Sequence, residues 1–209
     1  MNQIKNLDKL NSASYFSKNT LQQTVLVSDN TLYSNIKRWL KQGRIIQLKR
    51  GLYVTSNYYT QTLKKEAYQE FIANKLKTPS YLSLEYVLQK YSLLTETVYA
   101  FTSITLKKPN TYKNKLGLFV YSNINKELFT GYKIINKDGF KIKEASKAKA
   151  LFDFFYLRLL KVKNINKELL ESFRLNLDEF SKNDQIEFMN YVDLSKIDKL
   201  KKVGLWLKT

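Results

Sequence analysis

Ser17 and Ser28 stand eleven residues apart in the same local setting. Each follows an apolar residue, Phe16 or Val27, and each precedes a run with leucine at its fourth position, Leu21 or Leu32. A serine hydroxyl so placed accepts a hydrogen bond from the free amides of a first helical turn, and the flanking apolar pair forms a hydrophobic staple. The spacing therefore predicts two short helices in close succession, over residues 18–26 and 29–42. In the second, Leu32, Ile36, Trp39 and Leu40 make one face apolar, and Gly43 suits the left-handed residue that ends a helix. The opposite face carries Asn30, Ser34, Lys37, Arg38 and Lys41.

Residues 44–48 then read as a strand, Lys49-Arg50-Gly51 as a tight turn and residues 52–55 as a strand returning antiparallel. Helix, turn, helix and hairpin together predict a winged helix-turn-helix, in which the second helix enters the major groove of DNA and the hairpin tip lies along the backbone or minor groove. Charge agrees with that geometry. Between Lys37 and Arg50 there are six basic residues and no acidic one. Asn30, Thr31, Ser34 and Lys37, joined by Tyr33, are placed to reach base edges. Arg38, Lys41, Arg44, Lys49 and Arg50 suit phosphates, whose contacts give salt-dependent affinity rather than sequence choice. Asp29 favours the helix dipole but repels a phosphate, so it either faces away or reads a cytosine amino group.

The formal charge of +18 over 209 residues points to polyanionic partners. That figure needs discounting, because 31 of the 36 basic residues are lysine and asparagine is frequent too, a bias that an A/T-rich coding sequence would produce unaided. The placement of arginine is harder to attribute to codons: three of the five, Arg38, Arg44 and Arg50, fall within thirteen residues. With neither cysteine nor histidine, the chain lacks the common nucleophile, general base and soft metal ligands. The carboxylate pairs Glu168 with Glu171 and Asp178 with Glu179 have the spacing of exposed helix faces, and no glycine-rich phosphate loop occurs. Neither an enzyme nor a cofactor is expected. Residues 1–5 lack the apolar core of a signal peptide and the longest uncharged run, residues 51–63, is too short to span a bilayer, so a cytoplasmic protein without a membrane partner is expected.

Residues 57–62 carry no charge and read as a linker between a domain at 1–58 and a second at 62–209. The second begins with a helix over 66–77, with Ala67, Phe71 and Leu76 inward, and another that Ser83 caps. The runs 98–106, 116–121, 129–135 and 140–144, the last two joined by Lys137-Asp138-Gly139, predict an antiparallel sheet. Ser146 caps an apolar helix over 147–160, interrupted by Asp153, which is read either as a polar-face residue paired with Lys149 or as a partner contact. Residues 166–207 suggest two or three amphipathic helices. The fold class is thus α+β: a winged helix-turn-helix, then a mixed domain with an antiparallel sheet and C-terminal amphipathic helices. Lys107-Lys108, Lys113 and Lys115 extend the DNA footprint, bind RNA or sit in solvated loops. Tyr58, Tyr59, Tyr112, Tyr121 and Tyr132 suit either base stacking or ordinary packing.

The segments Leu40-Lys41-Gln42-Gly43-Arg44-Ile45-Ile46, Lys49-Arg50-Gly51-Leu52-Tyr53, Thr78-Pro79-Ser80-Tyr81-Leu82-Ser83-Leu84 and Glu144-Ala145-Ser146-Lys147-Ala148-Lys149-Ala150-Leu151-Phe152-Asp153 stand in the order in which similar segments occur in the AbiEi family of abortive-infection antitoxins. The chain resembles that family over roughly residues 14–190. The resemblance implies a type IV toxin-antitoxin system, in which the winged helix represses its own operon at inverted repeats in the promoter and the C-terminal domain counteracts a co-encoded nucleotidyltransferase-like toxin, with or without touching it. It carries Lys37, Arg38, Arg44, Lys49 and Arg50 over as DNA contacts. The rival reading of the residues is a stand-alone winged-helix transcriptional regulator with a ligand-sensing or oligomerising C-terminal domain, and a third is an RNA-binding protein.

Overall fold

The serine caps set the first turns as expected. In the computed structural model, which describes residues 3–207, the Ser17 and Ser28 hydroxyls accept from the backbone amides of Thr20 and Thr31 at 3.0 and 3.5 Å. Met1 and Asn2, in the opening stretch read for a signal peptide, lie outside the described residues. A short helix α1 (Gln3–Asp8), which no sequence signal predicted, precedes strand β1 (Phe16–Ser17), helix α2 (Lys18–Val25) and helix α3 (Asp29–Lys41). Leu26, between α2 and α3, takes a left-handed conformation (φ 52°) at a cost of about 1–2 kcal/mol. Gly43 takes the same region (φ 67°) without that cost. Both staples close: Phe16, Leu21 and Leu32 are buried, and Val27 packs on the same core.

Strands β2 (Ile45–Lys49) and β3 (Leu52–Thr55) form the expected hairpin, turning through Arg50 and Gly51. β1 adds a third strand, pairing Phe16 with Tyr53 and Ser17 with Leu52. The β2–β3 register steps from Gln47↔Tyr53 to Lys49↔Leu52, so Leu48 sits in a bulge. Leu7, Leu10, Phe16, Leu21, Val25, Leu32, Ile36, Trp39, Ile45 and Tyr53 form one core. The stretch expected as a linker is instead helical: α4 (Ser56–Gln61) starts from Thr55, whose hydroxyl accepts from the Tyr58 amide, and Tyr58 and Tyr59 both pack on Tyr68. Polar composition misled there, because tyrosine rings supply the apolar surface that the charge count ignores.

Helix α5 (Lys65–Leu76) follows, then β4 (Ser80–Leu82), α6 (Leu84–Lys90), β5 (Ala100–Thr105), β6 (Asn110–Asn114), β7 (Gly117–Asn123), β8 (Tyr132–Lys137) and β9 (Phe140–Ala145). The chain ends with α7 (Lys147–Leu159), α8 (Lys167–Glu171), α9 (Lys182–Ser195) and α10 (Asp198–Trp206). The α+β class and the C-terminal helices are as expected, but the sheet is mixed rather than antiparallel. Its order is β6-β7-β5-β4-β9-β8, with β5 parallel to β7 and β4 parallel to β9. The alternation of apolar residues states which side of a strand faces inward and is silent about direction. β6 takes the edge, and β7 turns back beside β5.

The molecule divides into two compact units. One comprises Met1–Gln69 with Tyr112–Gly117, and the other Glu70–Thr111 with Leu118–Thr209.

In the second unit Asp153 pairs with Lys149 as expected, but both are wholly buried, so the pair lies on no solvent face and Asp153 is not open to a partner. Its Oδ1 accepts from Lys149 Nζ at 2.5 Å, and its Oδ2 from Ser83 Oγ at 2.7 Å and Tyr81 OH at 3.0 Å. Burial pushes the Asp153 carboxyl up, against the pull of Lys149, Ser83 and Tyr81. The Ser83 hydroxyl makes no cap bond to α6: it donates to Asp153, and the first-turn amide of Tyr86 is bonded by Thr102 Oγ1 instead, at 3.1 Å. Gly131 (φ 74°) lies against Lys149 and Tyr191, where no side chain fits.

Candidate nucleic-acid interface

Helix α3 presents two faces because its sequence does. Leu32, Ile36 and Trp39 are buried, whereas Asn30, Thr31, Tyr33, Ser34, Lys37, Arg38 and Lys41 are all exposed. Helical spacing brings Asn30, Ser34, Lys37, Arg38 and Lys41 onto one stripe. Beyond Gly43, Arg44 and Arg50 are exposed and Lys49 is half-buried. The turn needs a left-handed residue, and Gly51 (φ 78°) supplies it with open space around its Cα.

Not every side chain on the stripe is idle. Thr31 Oγ1 lies 3.0 Å from Ser28 Oγ, and the Ser34 hydroxyl donates to the Asn30 carbonyl at 3.2 Å, so both serve the first turns as well. Arg38 Nη2 donates to Asn35 Oδ1 at 2.9 Å, a bond that holds the guanidinium against the helix. Asn35 is itself buried: three residues after Leu32 and four before Trp39, it lies on the apolar face, which its polar side chain disguised in the sequence. Arg44 Nε donates to Gln42 Oε1 at 3.2 Å.

Lys18 went unread in the sequence and answers the difficulty posed by Asp29. Its ammonium lies 3.2 Å from Asp29 Oδ1, donates to Tyr33 OH at 3.1 Å and sits 4.2 Å from the centre of the Tyr33 ring. The hydrogen bond to Tyr33 and the Asp29 carboxylate hold the Lys18 pKa above its ordinary value. Asp29 therefore spends its charge on Lys18, and Tyr33 is tied to α2 rather than left to reach outward. A signal existed: Lys18 and Asp29 each directly follow a capping serine, so opposite charges mark the first positions of two successive helices.

The aromatic residues considered as stacking platforms have other work. Tyr121 is buried and donates to the Ala73 carbonyl, Tyr132 stacks on Tyr81 at 4.7 Å, and Tyr112 is half-buried. Among the described residues no group of three or more acidic, histidine or cysteine side chains is placed to hold a metal ion, and no helix is long and apolar enough to cross a membrane. Glu168, Glu171, Asp178 and Glu179 are exposed.

Comparison with family models and with curated proteins returned no match for this sequence.

Proposed function

We propose that the first unit is a winged helix-turn-helix that binds double-stranded DNA, with α3 in the major groove and the β2–β3 tip on the backbone. One observation carries this reading: Lys37, Arg38 and Lys41 share an exposed face of α3 whose reverse is packed into the core, and the chain then leads directly into a hairpin with exposed Arg50 at its tip. A helix held by its apolar face and exposed along its polar face is what insertion into a groove requires. Asn30 and Lys37, with Thr31 and Ser34, read base edges; Arg38, Lys41, Arg44, Lys49 and Arg50 hold phosphates. Tyr33 braces α3 against Lys18.

On the AbiEi resemblance, the chain is an antitoxin that represses its own operon at inverted repeats and counteracts a co-encoded nucleotidyltransferase-like toxin. Two measurements test the two halves. In fluorescence anisotropy with the DNA upstream of its own gene, the five phosphate-binding residues give a slope of log K against log salt of about −4.5, or about a 500-fold weakening between 50 and 200 mM. Replacing Lys37 and Arg38 together with Ala abolishes binding, and unchanged affinity would refute the interface. For the second half, the neighbouring open reading frame inhibits growth when expressed alone and this chain rescues growth; absence of either effect refutes the antitoxin role.

A further inference from the structure

The bulge at Leu48 has a partner. The β2–β3 register steps past Leu48, and the Asn114 side chain donates to the Leu48 carbonyl at 2.8 Å. The same side chain accepts from the Leu116 amide at 2.7 Å, and Gln69 Nε2 donates to the Leu116 carbonyl. Leu116 itself is buried. The segment Tyr112–Gly117, which belongs to the first unit despite its distance in sequence, is thus pinned to the rest of that unit by two polar contacts, and a third closes its turn on itself.

Asn114 is flanked by Lys113 and Lys115, both exposed. Lysines with a structural role in this protein are paired, as Lys18 is with Asp29, Lys90 with Glu70 and Glu144, and Lys149 with Asp153. Lys113 and Lys115 have no hydrogen-bond or ion-pair partner among the described residues. Nor does the local sequence supply one: no acidic residue occurs between Glu96 and Glu127. Two unneutralised ammonium groups therefore flank the residue that binds Leu48, Lys113 as the penultimate residue of β6 and Lys115 on the turn after it, and Leu48 directly precedes the Lys49-Arg50 tip.

Resting on the DNA-binding reading above, we infer that Lys113 and Lys115 are a second phosphate clamp, continuing along the duplex backbone the contacts made by Lys49 and Arg50. A duplex carries about one phosphate charge per 1.7 Å of its axis, so cations beside the wing meet further phosphates without any base contact. The flexible four-carbon stem of lysine suits such a point-charge contact better than it suits base readout. Asn114 is then the positioning residue: it fixes the clamp to the bulge and touches no DNA.

The test is anisotropy on the intact chain over 50–300 mM salt. Two added phosphate contacts steepen the wild-type slope to about −6.3, and K113A/K115A returns it to about −4.5, with an affinity loss of about 30-fold near 150 mM if the contribution vanishes close to 1 M salt. K113R/K115R keeps the wild-type slope, because charge rather than side-chain shape is at work. K161A/K163A, which removes the same net charge from the second unit, leaves the slope unchanged. An unchanged slope in K113A/K115A, or an equal fall in K161A/K163A, overturns the inference while leaving the winged-helix reading intact. Absence of any salt-dependent duplex binding by the wild-type chain removes that reading and the clamp with it.

Discussion

Replacing Lys149 with Met strips the counter-ion from a carboxylate that solvent does not reach. Both Lys149 and Asp153 are 0% exposed, and their closest atoms are 2.5 Å apart. Asp153 keeps the Ser83 and Tyr81 hydroxyls as donors, but two neutral donors do not replace an ammonium. Breaking one half of a buried pair costs about 3–5 kcal/mol, about a fifth or more of the stability of an ordinary domain. With a urea dependence of about 2 kcal/mol per molar, the unfolding midpoint of the second unit falls by about 2 M. Equilibrium denaturation followed by far-UV circular dichroism, alongside the fluorescence of Trp206 in that unit and Trp39 in the other, measures it. D153N leaves Lys149 buried without its anion, yet the ammonium still faces the Phe152 and Tyr191 rings at 4.8 and 5.2 Å, so its loss falls at the lower end of the range. The double variant K149M/D153N is less destabilised than the two singles summed, since neither charge is left alone and the amide oxygen that replaces the carboxylate still accepts from Ser83 and Tyr81. Losses below about 1 kcal/mol in both singles would place the pair with solvated surface pairs and refute the reasoning.

Gly131→Ala combines left-handed backbone strain with a Cβ driven into Tyr191 and Lys149, whereas Gly139→Ala, at φ 84° with open space around it, carries the strain alone; thermal unfolding should therefore show the first clearly more damaging, and equal effects would refute the packing argument. Burial, working against the pull of Lys90, pushes the Glu144 carboxyl up. A folded-state pKa above the unfolded one means that the folded chain binds the proton more tightly, so this group favours folding most at low pH and loses that contribution as pH rises through the folded value. The stability of wild type relative to E144Q should accordingly decline from about pH 4 upward, and a rise with pH would refute the assignment.

What was legible in the sequence was local. Ser17, Ser28 and Ser146 cap the helices that follow them, because a cap is written within four residues. The Asp138-Gly139 turn is equally local: both residues have positive φ, 52° and 84°, in the mirror-type turn of a tight hairpin. Apart from α1 and the Thr55-capped α4, the misses are relations across the chain. Ser83 carried the same capping signature, yet its hydroxyl went to a carboxylate seventy residues away. The two-residue strand β1 exists only because Tyr53 and Leu52 are there to pair with it. At the candidate interface, the stripe on α3 followed from helical spacing, but the Lys18 brace and the Asn114 contact with Leu48 connect residues whose separation in sequence gave no reason to associate them.

The segment Tyr112–Gly117 has a consequence for how this protein is made. A unit that borrows six residues from beyond position 111 is unfinished when its first 69 residues leave the ribosome, and the Leu48 carbonyl waits for an asparagine that has yet to be translated. Fragments that stop near residue 62 share that immaturity permanently. Competence at the hairpin is thus tied to synthesis of more than half the polypeptide, so that a prematurely terminated chain does not carry the finished wing.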